Sequence, residues 1–170
     1  MQSNLFQRLA NMRDANDKDA LRPVLAALVD RLSSQATSTA GLVIKAGGGV
    51  LAKTGSAAFQ GVAGGVPVTI AGSTDMPSLT GINIGAGKYN VVCFFIDSGS
   101  TVTAVAGTEG ATLAAVKFPD FADQRNKALV GYLVITYASA FTGGTTALDT
   151  ATTVYVSPVG AFDPTLLVTS

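Results

Sequence analysis

The sequence predicts a mainly β protein, either an antiparallel β-sandwich or a barrel, with a short helical segment at its N-terminus. Two observations predict this class. Leucine and methionine recur at helical spacing within the first 32 residues. From Gly41 onward, short β-branched and aromatic stretches alternate with glycine clusters, and no long helical pattern separates them. Strands without crossover helices favour antiparallel pairing.

Residues 1–36 are predicted to form an N-terminal helical or arm segment, and residues 37–170 an antiparallel β domain. The first 32 residues hold nine of the 22 charged side chains and two apolar stripes. The stripes are Leu5, Leu9 and Met12, and then Leu21, Leu25, Leu28 and Leu32. Asp and Asn in residues 13–19 provide a break and a helix cap between them. Pro23 is expected in the first turn of the second helix, where its missing N–H is tolerated.

The second stripe is too short to form a stable helix alone in water. It must therefore pack, either on the body of the protein or on copies of itself in a two- or three-stranded bundle. The seven residues of both stripes are the predicted site of self-association or docking.

Seven strands are predicted after the helical segment. They are residues 42–45, 50–53, 66–71, 89–96, 101–106, 129–137 and 152–156. Each is β-branched or aromatic, and glycine-containing turns lie between them.

The composition limits the kinds of partner. Charged residues make up 13% of the chain and the formal net charge is zero. No basic stripe is available for phosphates, so no nucleic-acid partner is predicted. The start of the chain lacks the pattern of a secretory signal, and no apolar run is long enough for a membrane span, so a cytoplasmic protein without a membrane partner is expected. The single cysteine, Cys93, lies in an apolar run and is expected to be a buried hydrophobe.

The octet FFIDSGST, residues 94–101, raises the question of catalysis. Hydrophobic residues followed by Asp-Ser-Gly-Ser resemble the catalytic segment of aspartic proteases, and "LVG" at residues 129–131 resembles a second element of those enzymes. Asp97 would then need a homodimer, so that two carboxylates share one proton. The alternative is a β-hairpin tip, in which Asp97 accepts backbone N–H bonds and Gly99 takes a positive φ.

Other chemical motifs are weaker. Residues 47–54, GGGVLAKT, approach a phosphate-binding loop, but Ala52 replaces the second glycine and no helix is expected to follow. Asp14, Asp17 and Asp19 resemble a calcium-binding cluster, but the segment lacks the turn glycine and the bidentate glutamate of an EF-hand loop, so helix capping is expected instead. Glu109, the only glutamate, is expected to be simply solvated.

The chain contains no histidine, which removes the usual general base and the commonest metal ligand. No catalytic residue, cofactor or metal is therefore predicted.

The order of segments along the chain resembles virion structural proteins of tailed bacteriophages. The segments are NMRDANDKDALRPVLAALVDRL, AGLVIKAGG, AKTGS, STDMPSLTG, YNVVCFFIDS, GTEGATLAAVKFP, ALVGYLVI, GGTTALDTATTVY and VGAFDPT. The likeness is greatest to the group that decorates or cements capsids or forms head fibres.

This resemblance implies an antiparallel β body with an N-terminal arm, assembled as a homotrimer on the outside of an icosahedral shell. The partners would be further copies of the chain and the major capsid protein, and the protein would be made in the host cytoplasm. Tail-fibre or tail-adaptor proteins remain an alternative, as does a β domain that binds carbohydrate or a host surface. The resemblance implies no catalytic residues.

Overall fold

The protein is described by a computed structural model that covers residues 18–162, without the side chains of residues 18–20, 22–24, 27 and 122. This range contains one α-helix, α1 (Lys18–Ser33), and two short 3₁₀ helices, Leu113–Ala115 and Phe121–Gln124. The strands in the same range are β1 (Gln35–Ala36), β2 (Val43–Ile44), β3 (Ala52–Lys53), β4 (Phe59–Ala63), β5 (Val66–Ile70), β6 (Asn83–Ile84), β7 (Tyr89–Ile96), β8 (Val102–Ala106), β9 (Ala128–Thr136), β10 (Phe141–Thr142) and β11 (Thr152–Val156).

The largest sheet has four strands in the order β11-β9-β7-β8, and every neighbouring pair is antiparallel. Its two central strands are buried on both faces. That explains why β7 reads YNVVCFFI, a nearly continuous apolar run, rather than an alternation of apolar and polar residues.

A β-bulge in β9 decides which of its side chains face each core. Leu129 pairs with Phe95 and Gly131 pairs with Phe94, so Val130 is an extra residue without an opposite partner. Before the bulge, even-numbered residues of β9 enter the main core, and after it odd-numbered residues such as Leu133 do so. Strand β7 keeps one alternation throughout.

The main core lies on one face of the four-stranded sheet, beneath three smaller sheets. These have the strand orders β1-β4-β5, β6-β10 and β2-β3, all antiparallel. Phe59 from β4, Phe94 from β7 and Phe141 from β10 meet there, almost fully buried. The prediction of a mainly antiparallel β fold is confirmed. The described residues form several open sheets that share the main core, and no closed barrel is found among them.

A second core covers the opposite face of the same sheet. Cys93 and Phe95 from β7 and Tyr132 from β9 pack there against Phe118 and Phe162, which lie outside the regular strands. The Phe118 ring meets the Tyr132 ring edge-on, with 5.2 Å between centroids. The large sheet is therefore enclosed on both sides.

The seven predicted strands are confirmed, with ends that differ by up to two residues. Strands β1, β4, β6 and β10 were not predicted. Three of them have only two residues, too few to show a period. Strand β4 contains Gly61, and a glycine weakens the sequence pattern of a strand. A Cβ at position 61 would lie only 3.0 Å from the Gln35 carbonyl oxygen. Glycine therefore lets β1 approach β4.

The helix α1 confirms the second of the two predicted helices. The first, with Leu5, Leu9 and Met12, lies outside the described residues. The expectation for Pro23 is wrong, because it is the sixth residue of α1 and not in the first turn. Because proline has no backbone N–H, it cannot donate the helical hydrogen bond to the carbonyl of Asp19. Within residues 18–162, no helix combines the length and hydropathy needed to cross a membrane.

We expect Gly131→Ala to lower the free energy of unfolding by about 1–3 kcal/mol, since overpacking a core costs that much. A Cβ at Gly131 would lie 2.6 Å from both Leu42 Cδ1 and the Val156 carbonyl oxygen. Urea unfolding measures the loss. The control is Gly47→Ala, whose Cβ would come no closer than 4.0 Å to Asp149 Oδ2. Equal stability of wild type and Gly131→Ala would contradict this packing.

Candidate functional site

The C-terminal end of α1 is fixed to the β body by polar contacts. The Asn126 N–H donates to Asp30 Oδ1 at 2.8 Å. In the turn between β4 and β5, the Gly65 N–H donates to the Ser33 carbonyl at 2.8 Å, which satisfies one carbonyl that the helix end leaves free. The Gly64 N–H donates to Ser34 Oγ at 3.0 Å. The body therefore holds α1 by its polar side.

The apolar side of α1 faces away from these contacts. At 100° per residue, Asp30 lies about 140° around the helix from Leu25. Four large apolar side chains are exposed on that opposite side. They are Leu25 at 44%, Leu28 at 40%, Val29 at 62% and Leu32 at 58%, and we call them the outer face of α1. The remaining residue of the predicted stripe, Leu21, is partly buried.

This arrangement bears on how the second stripe packs. Of the two alternatives, packing on the body does not hold for Leu25, Leu28 and Leu32, because the body contacts the other side of the helix. Sequence reasoning missed Val29. Its signal was present, because Val29 follows Leu25 by four residues and precedes Leu32 by three, and such residues are neighbours on a helix surface.

Asp97 lies at the tip of the β7–β8 hairpin. Its Oδ1 accepts the N–H groups of Gly99 and Thr101, both at 2.9 Å, and its carbonyl accepts the Ser100 N–H at 3.0 Å. These bonds form the turn that the hairpin interpretation predicts. The "LVG" segment, residues 129–131, is part of β9, which pairs with β7 in the same sheet.

One detail of the predicted turn is wrong. Ser100, and not Gly99, has the positive φ, at 62°. In a three-residue hairpin loop a type I turn is followed by one residue in the left-handed region. Ser98 and Gly99 occupy the turn and Ser100 takes the left-handed position.

The phosphate-loop candidate, residues 47–54, lies in and after the turn between β2 and β3. Strand β3, not a helix, holds Ala52 and Lys53. Thr54 is fully buried, and its hydroxyl donates to the Ala71 carbonyl at 3.0 Å and accepts the Thr74 N–H at 2.9 Å. The segment lacks the free helix N-terminus that would bind a phosphate.

Glu109 is not simply solvated, so that expectation is wrong. Its carboxylate accepts the Gly85 N–H at 2.9 Å and pairs with the Lys88 ammonium, and its side chain is 32% exposed. The Gly85 hydrogen bond, followed by the Lys88 contact, lowers the pKa of Glu109 from its ordinary value of 4.5. Glu109 connects the loop before β7 to the segment after β8.

The remaining titratable candidates are Cys93 and the acidic residues of the N-terminal segment. Cys93 is fully buried, as expected, and burial raises the pKa of its thiol well above the ordinary range. Asp14 and Asp17 lie outside the described residues, as does the side chain of Asp19. No group of three metal-ligating side chains occurs within the described part of the chain.

A scan against protein-family models found no match, and neither did searches of curated proteins and of solved structures.

We expect Ser100→Gly to raise the free energy of unfolding by about 0.5–1 kcal/mol. A left-handed conformation costs a residue with a Cβ roughly 1–2 kcal/mol, and the greater flexibility of unfolded glycine offsets part of the gain. The control is Ser98→Gly in the same loop, where φ is not positive. That change should lower stability in the same urea titration, and a gain for both would contradict the turn geometry.

We expect Glu109→Gln to destabilise the fold above pH 4.5 and to have less effect in acid. Because folding lowers the pKa of Glu109, the stabilisation is present above the ordinary value of 4.5 and is lost as the pH falls through the lower folded value. Urea unfolding at pH 7 and pH 3 measures the difference. Asp123→Asn, which removes an exposed carboxylate that accepts no hydrogen bond among the described residues, is the control. Equal losses for Glu109→Gln at both pH values would contradict the assignment.

Proposed function

We propose that this chain is a non-enzymatic structural protein of a tailed-bacteriophage particle. It assembles as a homotrimer through α1 and binds the outer surface of the capsid, where it decorates and stabilises the shell. The observation that carries this proposal is the outer face of α1. The resemblance in the order of sequence segments supports the capsid as the partner.

The outer face of α1 suits contact with copies of the same helix. Leu21, Leu25, Leu28 and Leu32 follow one another at four, three and four residues, which is the a/d spacing of a coiled coil. Val29 lies beside this seam. Soluble monomers rarely expose a contiguous apolar patch of this kind without a partner for it.

The energy is of the right size for association. Burying the exposed part of one such side chain stabilises a contact by about 1 kcal/mol. Four side chains on each of three helices would contribute roughly 10 kcal/mol in total, against which stands the entropy lost on association. The helix is held to the body at its C-terminal end, so the three β bodies would be arranged around the bundle.

A trimer also explains how a chain with few charges could cement a shell. Three identical contacts raise one another's effective concentration, so each can be individually weak. The chain is poor in charge, since charged residues make up 13% of it, and stable interfaces likewise have few charges at their centre. Binding of this kind would depend little on salt.

The first experiment measures the oligomeric state by light scattering. We expect a trimer for the wild type and a monomer for Val29→Glu combined with Leu32→Glu, because the carboxylates would be buried at the seam. The matched control is Leu113→Glu, since Leu113 is 47% exposed but lies far from α1 in sequence, in the first 3₁₀ helix. A monomeric wild type would contradict assembly through α1.

The second experiment adds each protein to capsids of the phage that encodes it, prepared without it. The wild type and Leu113→Glu should raise the temperature at which the capsids open, whereas the monomeric double variant should give a smaller rise. If a trimeric wild type neither binds nor protects the capsids, the head is the wrong location and the tail-adaptor alternative gains support.

A further inference from the structure

A cleft of about 590 Å³ lies between the C-terminal end of α1 and the segment around residues 114–127. Asp30 and Arg31 line it on the helix side, and Gly160 and Phe162 line it from the end of the described chain. It is separate from the outer face of α1, because Asp30 lies on the side of the helix that contacts the body.

Cations are concentrated at this cleft. The structure describes the side chains of seven lysines and arginines, and four of them line it: Arg31, Lys117, Arg125 and Lys127. Arg31, Lys117 and Arg125 are exposed, and none of the three pairs with a carboxylate among the described side chains. By contrast, Lys45 and Lys88, both outside the cleft, form ion pairs.

The carboxylates of the cleft do not balance these cations. Among the described side chains, two carboxylates line the cleft, and one of them, Asp30, already accepts the Asn126 N–H. Four cations against two carboxylates leave a formal excess of two positive charges. In a chain whose total charge is zero, the excess is a local feature that favours an anionic partner.

The floor of the cleft is aromatic. Of the seven phenylalanines in the described range, four are buried in the cores, and the three that keep some exposure all line the cleft: Phe118, Phe121 and Phe162. Their rings pack on one another, with centroids 5.5 Å apart for Phe118 and Phe162 and 5.7 Å for Phe121 and Phe162. A partly exposed aromatic floor beneath a cationic rim offers two different contacts to one ligand.

We propose that this cleft binds an acidic peptide segment of a protein partner. One apolar side chain of the segment packs on the rings of Phe118, Phe121 and Phe162, and the flanking carboxylates meet Lys117, Arg125 and Arg31. Arginine also pairs with carboxylates through two parallel hydrogen bonds, which fixes the direction of the peptide. The proposal goes beyond capsid decoration and does not depend on it.

A peptide fits these residues better than a single-stranded nucleic acid. Bases bind proteins by stacking on free aromatic faces. Here the three rings already use faces and edges for contact with each other, with the Phe121 and Phe162 rings stacked 29° apart. The balanced charge of the whole chain also gives no extended attraction for a polyanion.

The test uses fluorescence anisotropy with dye-labelled pools of ten-residue peptides. The first pool has four acidic residues flanking a central Leu-Phe pair, with the other positions random. In the second pool Asn and Gln replace the acids, and in the third Ser-Gly replaces Leu-Phe. A polythymidine oligonucleotide is the fourth probe. We expect saturable binding of the first pool alone, weakened as salt is raised.

Two charge reversals on the exposed rim locate the site. Lys117→Glu combined with Arg125→Glu should weaken binding of the first pool by about tenfold or more, since each reversal turns an attraction into a repulsion. The matched control is Lys53→Glu, because Lys53 lies in β3 and does not line the cleft. Thermal unfolding confirms that each variant is folded, and light scattering reports separately on assembly through α1.

Several results would overturn the inference. It is wrong if no pool binds at about 1 mM peptide, which corresponds to roughly −4 kcal/mol. It is also wrong if the amide pool or the oligonucleotide binds as well as the acidic pool, or if Lys53→Glu weakens binding as much as the double reversal. A wild type that binds the first pool but does not form a trimer would contradict only the proposed function.

Discussion

The structure depends on one strand pair, β7 with β9, being buried on both faces. These two strands contribute most of the side chains that the large sheet places in the two cores. Phe94 of β7 lies in one core and Phe95 in the other. Fully burying a phenylalanine contributes about 1.5–3 kcal/mol, so this pair brings a large share of the hydrophobic stabilisation into one place. The three smaller sheets, and the segments that hold Phe118, Phe121 and Phe162, can each be irregular because they pack on this central strand pair.

The same centre positions the outer face of α1 and the cationic cleft. Helix α1 contacts the body through Asp30 and Ser33 at its end, near the β4–β5 turn, and this attachment turns its apolar residues outward. The cleft lies beside the attachment, where Phe118, Phe121 and Phe162 cover the second core. The exposed apolar side chains on one surface and the charged side chains on the other are thus placed by a few hydrogen bonds that backbone N–H groups donate.

The turn at Asp97 shows why a short motif is a weak guide to chemistry. Asp, Ser and Gly are residues that favour tight turns, and a hairpin needs them whether or not catalysis occurs. Here the Asp97 carboxylate holds Gly99 and Thr101 in place. Thr54 makes the same point for the phosphate-loop pattern, because its hydroxyl is used inside the fold.

Local periodicity and glycine turns were sufficient to predict the fold class, seven of the strands and the second helix, because these signals depend only on neighbouring residues. The burial of Cys93 could also be predicted, because the residues on both sides of it in the strand are apolar. Tertiary structure alone fixes strands β1, β6 and β10 and the shift of alternation at Val130, which depend on partners distant in the chain. It alone decided the role of Glu109 as well, and the direction that α1 faces. Apolar residues at helical spacing indicate that one side of the helix is apolar. The contact of Asp30 with the body determines whether that side faces the body or the solvent.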